Sequence, residues 1–156
     1  QAISAEVREA AMQSDLVLQK NGGKVIMVSS LDQGHPGENV IDGNESSYWI
    51  STGLYPQEIL LQLGSPGKVS NVRLTTTNVR SIRVEGCADE TPVNFRLLAE
   101  GNLDEKAGRL QLNVLKCTQG DLSAYIKVCI MSGWQDFCSV HRVSVETRTT
   151  LVDPAG

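Results

Sequence analysis

The segment HPGENVIDGNESSYW, residues 35–49, places a carboxylate at Asp42 and a hydroxyl at Ser47 shortly before a tryptophan. A glycine after Asp42 permits a sharp turn, which would let the backbone carbonyls of Asn39 and Asn44 converge. Oxygen atoms of these kinds are the ligands of Ca²⁺, which takes roughly six to eight of them. The residues alone therefore leave two interpretations open: a turn closed by side-chain hydrogen bonds, and a loop that holds a metal ion.

Other signatures in this loop point less strongly to a function. As an EF-hand the segment fails, because Ser47 stands where glycine is needed and Gly53 stands where the closing glutamate is required. Asn44-Glu45-Ser46 is an N-glycosylation sequon, which we interpret as accidental. Trp49 is predicted to be a core anchor, since aromatic residues make up only 4% of the chain and a single Trp usually packs inside.

Alternation of apolar and polar residues dominates the rest of the chain and predicts eight strands. These strands are expected over residues 24–30, 57–64, 68–77, 80–86, 93–100, 108–116, 124–131 and 139–149. Short segments rich in Gly, Pro, Asp and Asn, such as GSPGK, separate the strands and are typical of turns. Many strands at regular spacing with almost no helix predict a β-sandwich or barrel.

The same alternation predicts which side chains face the core. The residues expected to point inward are Val72, Leu74, Ile82, Val84, Val93, Phe95, Leu97, Ile126, Val128, Ile130, Val143 and Val145. In the strand predicted over residues 108–116, Leu110, Leu112 and Val114 are expected to share one face.

Length and charge bound the class of protein. The 156 residues carry a formal net charge of −4, which disfavours binding to nucleic acid because phosphate neutralisation needs a basic surface. No apolar run approaches the roughly 18 residues that cross a bilayer. We expect one domain over residues 15–148, preceded by a flexible or helical arm at 1–14 and followed by a disordered tail at 149–156.

The cysteines point to reduced thiols. Cys87, Cys117, Cys129 and Cys138 form no C-x-x-C pair, and with the two histidines they show no zinc-ligand spacing. Two disulfides are possible, but a chain of this length does not need them, and the first residues lack the features of a secretory signal. We therefore expect free thiols and an intracellular protein.

Two ends of the predicted domain carry a family resemblance. The segment at 35–64 and the closing strand FCSVHRVSVE at 137–146 resemble discoidin-type, galactose-binding-like domains. The loop residues that carry the match are Asn39, Asp42, Gly43, Ser47 and Trp49. The resemblance implies an all-β fold, a jelly-roll β-sandwich of about eight to ten antiparallel strands.

A narrower resemblance comes from three motifs taken together: HPGENVIDGN, YW-STG-YPQE and SVHRVSVE. They are similar to the family of small β-sandwich subunits of intraflagellar transport complex B. The resemblance implies a non-enzymatic subunit that forms a heterodimer with a Rab-like small GTPase subunit, contacts other complex B subunits and acts in ciliary cargo transport. The implied localisation is the cytoplasm, the cilium or flagellum, and the basal body.

The resemblance also implies a structural Ca²⁺ site between the first loop and the last strand. The implied ligands are Asn39, Asp42, Asn44, Ser47 and Glu146. Glu146 would supply the distant carboxylate that the loop by itself lacks. For partner binding, we expect a patch of one sign made by Arg73, Arg80 and Arg83 on neighbouring strands.

Two other functions stay open. A discoidin-type glycan- or lipid-binding module would need a pocket lined by Trp134, Phe137 or Tyr55. A small heat-shock-like chaperone would need an exposed I-x-V tag, for which Ile82-Arg83-Val84 is the candidate. Catalysis has little support, because no nucleophile can be placed beside His35 or His141 from the sequence.

Overall fold

Antiparallel strands make up most of the folded chain, as the alternation predicts. A computed structural model describes residues 15–117 and 122–147; the predicted arm at 1–14 and the predicted tail at 149–156 lie outside the described residues. The strands are β1 (Lys24–Val28), β2 (Trp49–Ile50), β3 (Gln57–Thr77), β4 (Val79–Cys87), β5 (Arg96–Asn102), β6 (Gln111–Lys116), β7 (Leu122–Gly133) and β8 (Ser139–Thr147). Two short 3₁₀ helices span Gln19–Asn21 and Gly37–Val40.

The strands form two sheets that share β3. The first sheet has the order β1-β3-β7-β4-β5 and the second has the order β2-β8-β3-β6. All of these pairings are antiparallel. The expected jelly-roll β-sandwich is confirmed.

The segment GSPG at 64–67 is a bend within a strand and not the predicted turn between two strands. β3 runs for 21 residues, first beside β7 and then beside β8. The pairing with β7 jumps from Gln62 opposite Tyr125 to Gly67 opposite Ser123, so extra residues bulge out of β3. A bulge bends its strand and increases the local twist, which lets one strand pass from the first sheet into the second.

The core lies between the inner faces of the two sheets. Nine of the inward predictions are confirmed, since the following side chains are buried: Val72, Leu74, Ile82, Val84, Ile126, Val128, Ile130, Val143 and Val145. Trp49 also belongs to this core and is fully buried. Its indole N–H donates a hydrogen bond to the Ser30 carbonyl at 3.1 Å.

For the predicted strand at 93–100, the prediction of which side chains face the core is wrong. Val93 is 68% exposed and Leu97 is 39% exposed, whereas Leu98 and Ala99 are buried. A bulge causes the shift, because Val84 pairs with Ala99 while the next residue of β4 pairs with Leu97. Strict alternation cannot anticipate such an extra residue.

Strand β6 has its apolar face on the outside of the sandwich. Leu110, Leu112 and Val114 do share one side, but all three are exposed. The inward position before Leu112 is taken by Gln111, which is buried. Its side-chain amide accepts from the Val79 N–H at 3.0 Å and donates to the Val79 carbonyl at 2.7 Å, so the buried polar group is satisfied.

The segment before β1 packs closely on the sandwich. The Leu16 N–H donates to the Val145 carbonyl at 3.1 Å, and the Leu16 carbonyl accepts from the Gly64 N–H at 2.8 Å. Val17 is fully buried. At Gly23 the chain passes so close to Val17 that a Cβ built on the glycine would lie 2.0 Å from the Val17 carbonyl oxygen.

Gly23→Ala should destabilise the fold, because the added methyl group cannot fit against the Val17 backbone without moving it. Overpacking of this kind typically costs about 1–3 kcal/mol. Urea unfolding should show this loss for Gly23→Ala and little change for the matched variant Gly53→Ala, where the nearest atom to the new Cβ is 3.5 Å away. Equal stabilities of the two variants would contradict the close approach.

Candidate functional site

The loop at 35–49 is held at both ends by buried residues. The 3₁₀ helix Gly37–Val40 follows Pro36, whose fixed φ suits the start of a helix. Val40 and Ile41 are buried behind it, and Trp49 is buried at the other end. The Asn39 side-chain amide donates to the Tyr48 carbonyl at 2.9 Å and closes the loop across its base.

Four of the five predicted metal ligands come together around the Ser47 hydroxyl. Its oxygen lies 2.6 Å from Asp42 Oδ2, 2.8 Å from the Asn44 carbonyl oxygen and 3.4 Å from the Asn39 carbonyl oxygen. A serine hydroxyl has one hydrogen to donate. It can therefore donate a full hydrogen bond to only one of these three oxygen atoms. The close contacts with the other two would be stabilised by a bound cation.

The same loop also contains the side-chain turn that the sequence left as the alternative. Asp42 Oδ1 accepts from the Asn44 N–H at 2.8 Å, and Asn44 Oδ1 accepts from the Ser46 N–H at 3.0 Å. Such bonds shape the turn without any ion. The two interpretations describe one arrangement, in which the turn brings the oxygen atoms together.

Glu146 lies apart from this oxygen cluster. Its carboxylate is ion-paired with Arg73, and its other oxygen accepts from the Asn71 side-chain amide at 3.4 Å. The loop instead contacts β8 at His141 and Arg142. Glu146 is four residues further along the strand than Arg142, which is roughly 13 Å at the usual rise per residue.

A stack of three rings joins the loop to β8. The Tyr48 ring lies between His35, with ring centroids 4.2 Å apart, and His141, with centroids 4.9 Å apart. His141 Nδ1 lies 3.2 Å from the Glu45 carbonyl oxygen. The sequence did not reveal this stack, because His141 is about a hundred positions from His35 and Tyr48 and only the pairing of β2 with β8 brings it to them.

The histidines show no catalytic arrangement, although His141 has a serine hydroxyl beside it that was not expected from the sequence. The Ser139 hydroxyl lies 3.0 Å from His141 Nε2, which corrects that expectation. Ser139 is buried, and its oxygen also lies 2.5 Å from the Thr77 hydroxyl. The pair is a polar contact within the sheet, with a backbone carbonyl and not a carboxylate on the other ring nitrogen.

Arg142 connects the loop to the start of the domain. One guanidinium nitrogen lies 3.5 Å from Glu45 Oε1, and another lies 3.9 Å from Asp15 Oδ2. Asp15 is almost fully buried, and its Oδ1 accepts from the Val145 N–H at 2.9 Å and the Val17 N–H at 3.1 Å. Burial raises the pKa of Asp15, opposed by these backbone hydrogen bonds and by the Arg142 charge.

Soft-metal chemistry is not supported by the described residues. Within 15–117 and 122–147, no group of three or more His, Cys, Asp or Glu side chains is placed to hold a metal ion. The four cysteines are free and buried, as the sequence predicts. Burial raises the pKa of Cys117 to about 11 and that of Cys129 to about 12, so these thiols stay protonated at neutral pH.

Of the three arginines expected to form one patch, Arg73 is separated from Arg80 and Arg83, which both lie on β4. Arg73 lies on the part of β3 that belongs to the second sheet, with its charge ion-paired as described above. Arg83 lies on β4 in the first sheet, 3.5 Å from Glu85. Arg80 lies 4.8 Å from the centre of the Trp134 ring. The expectation of neighbouring strands is wrong, because β4 pairs with β5 and β7.

Relatives among characterised proteins decide the family. No protein-family profile matches the chain. The chain is 37% identical over 132 residues to intraflagellar transport protein 25 of Chlamydomonas reinhardtii, covering 84% of this chain and 68% of the relative. It is 33% identical to the human homologue, covering 85% of this chain and 91% of the relative. The chain belongs to the intraflagellar transport protein 25 family.

Solved structures support the fold of this family member. The family 32 carbohydrate-binding module of Clostridium perfringens NanJ, in complex with galactose, has a TM-score of 0.70 at 19% identity, covering 84% of this chain and 97% of that module. Chitosan-binding module 1 of a Paenibacillus chitosanase/glucanase has a TM-score of 0.73 at 20% identity, covering 85% and 98%. At these identities the likeness concerns the fold alone.

Two of the three aromatic residues considered for a glycan pocket, Trp134 and Tyr55, make internal hydrogen bonds, whereas Phe137 is exposed. The Trp134 indole N–H donates to the Leu103 carbonyl at 2.9 Å, and the Tyr55 hydroxyl donates to the Gln135 carbonyl at 2.8 Å. A surface cleft of about 420 Å³ lies elsewhere, beside the loop from β4 to β5. Its lining residues are Ala88, Asp89, Val93, Asn94, Phe95 and Arg96.

The free energy of unfolding of Asp15→Asn should increase, relative to that of the wild type, as the pH rises from about 4 to about 7. Folding raises the pKa of the Asp15 carboxyl above its usual 3.8. The protonated carboxyl therefore stabilises the wild-type fold at low pH. This stabilisation is lost as the pH rises through the pKa that Asp15 has in the folded state. The asparagine stays neutral throughout and keeps its Oδ1 acceptor.

Urea unfolding of both proteins at several pH values measures this difference. Asp104→Asn, which removes one exposed carboxylate, is the control for the change in net charge. A stability difference that is flat, or that falls as the pH rises, would contradict a burial-dominated shift at Asp15.

Proposed function

We propose that this protein is a non-enzymatic structural subunit of intraflagellar transport complex B that forms a heterodimer with a Rab-like small GTPase subunit and acts in ciliary cargo transport. The similarity to intraflagellar transport protein 25 over most of the chain is the observation that carries the proposal. The sequence has no G-x-x-x-x-G-K-[ST] phosphate loop. Nucleotide binding is therefore assigned to the GTPase, and this chain supplies a rigid binding surface.

The proposed location follows from the same assignment: the cytoplasm, the cilium or flagellum, and the basal body. Within the described residues, no helix is long and apolar enough to cross a membrane.

The complex is tested by co-expression with the Rab-like GTPase subunit, followed by size-exclusion chromatography with light scattering. A one-to-one complex that survives purification is expected, because a stable subunit interface buries on the order of 1,600 Å². An unrelated small GTPase serves as the control partner. Two separate monomer peaks at micromolar concentration would contradict the heterodimer.

We also propose a Ca²⁺ site formed by Asp42, Ser47 and the carbonyl groups of Asn39 and Asn44. Three oxygen atoms gathered around the Ser47 hydroxyl oxygen support this ligand set, since such hard donors suit Ca²⁺ and not Zn²⁺. The ion would neutralise the oxygen cluster and bind the folded state in preference to the unfolded chain. With a single carboxylate, the site is expected to be weak.

Calorimetric titration of chelator-treated protein with Ca²⁺ should show binding heat that Asp42→Ala abolishes. Glu146→Gln is the matched control. The Glu146 carboxylate is ion-paired with Arg73, so this substitution should leave Ca²⁺ binding intact. The melting temperature of the wild type should rise with Ca²⁺, and that of Asp42→Ala should not. Equal heats for wild type and Asp42→Ala would end the proposal, and loss of binding only in Glu146→Gln would reassign the site.

A glycan- or lipid-binding function is the second candidate. It is favoured by exposed apolar side chains on loops, since Leu31 is 85% exposed and Phe137 is 55% exposed. A glycan array and liposome sedimentation would decide it. The chaperone alternative loses its tag, because Ile82 and Val84 are buried in β4.

A further inference from the structure

Strand β6 is an edge strand with one hydrogen-bonded neighbour. It pairs with β3 from Gln111 opposite Thr76 to Lys116 opposite Asn71. In the part of the chain that the structure describes, no strand pairs with its other side. On that side, the N–H and C=O groups of alternate residues point away from the sheet. An edge of this kind can pair with another strand.

The outer face of β6 is apolar where edge strands are usually protected by charge. Leu112 is 72% exposed, and Leu110 and Val114 are each 46% exposed. Leu112 and Val114 lie on one side of the strand because side chains alternate along it, and Leu110 directly precedes the strand, so the three form an apolar ridge. Proteins keep a contiguous exposed apolar surface chiefly where something binds to it.

Exposed cations lie at both ends of this ridge in a chain that is acidic overall: Arg109 at one end and Lys116 at the other. Arg73 lies directly beside Val114 in the sheet, and its ion pair with Glu146 offsets both charges. The ridge therefore combines an apolar centre with a basic rim, which is complementary to an apolar surface with acidic residues around it.

We propose that the free edge and apolar ridge of β6 are the docking surface for the partner subunit, which adds an extended segment carrying apolar side chains flanked by acidic ones. This inference rests on the proposed function, since it assigns the surface to the Rab-like GTPase subunit. Backbone pairing with the edge supplies affinity, and the side chains that alternate along the added strand supply specificity.

A second copy of this chain fits the edge less well. Antiparallel self-pairing centred on Asn113 would set Leu112 against Val114 of the second copy, which is favourable. It would also set Lys116 opposite Leu110 of the second copy. At both ends of the pairing, Lys116 would then lie close to Arg109 of the other copy. Like charges brought together in this way are destabilising, whereas acidic residues at the same positions are stabilising.

The test compares Leu112→Glu with Leu54→Glu in binding to the purified GTPase subunit. Both changes place a glutamate at a highly exposed leucine, so both variants should fold, and circular dichroism and thermal melting check this. Leu112→Glu should weaken binding at least about tenfold, the loss typical of an apolar anchor at an interface centre. Leu54→Glu should bind like the wild type.

Two further measurements examine the strand pairing and the rim. Hydrogen exchange of the β6 amides should slow when the complex forms, because the free edge becomes hydrogen-bonded. Lys116→Glu should lower the association rate and weaken its dependence on salt, as expected for a rim charge. Unchanged exchange in β6, with slowing confined to another surface, would overturn the inference even if the substitutions have an effect.

The outcomes separate the two levels of proposal. A wild-type chain that binds no GTPase overturns the heterodimer and the surface assigned to it. Normal wild-type binding that is unaffected by Leu112→Glu overturns the surface alone. If light scattering of the isolated chain shows a dimer that Leu112→Glu abolishes, the occupant is a second copy and the assignment to a different partner is wrong.

Discussion

The structure depends on one strand that belongs to both sheets. Because β3 pairs with β7 in its first half and with β8 in its second half, the registers of the two sheets are linked through a single backbone. The bulge at 63–66 takes up the mismatch between them. A sandwich whose layers were joined only by loops could shift one layer over the other, and this one cannot do so without breaking β3.

That constraint also positions the candidate site. β8 lies beside β3 and pairs with β2, so the end of the loop at 35–49 is fixed relative to the second sheet. Ile41 and Trp49, which flank the oxygen cluster in the sequence, are anchored in the shared core. The cluster is therefore assembled by packing and by turn hydrogen bonds, and a bound ion would act on an arrangement that already exists.

Local pattern predicted much of this fold, and the failures have physical causes. Alternation found the inward residues of β4, β7 and β8, and the loop composition identified the oxygen donors at Asp42 and Ser47. Alternation failed at β5, because a bulge changed the phase, and at 64–67, because a Gly- and Pro-rich segment can bulge as well as turn. The places of Glu146 and the three arginines depend on strand order, which a sequence pattern does not contain.

The bridging position of Arg142 makes distant parts of the chain thermodynamically dependent on each other. Its guanidinium group is shared by Asp15, at the start of the domain, and Glu45, in the oxygen-rich loop. Substitutions at residues with a common partner are not additive. Removing either carboxylate changes the pairing available to the other, so a double-mutant cycle between positions thirty residues apart should close with a non-zero coupling energy that arises through Arg142.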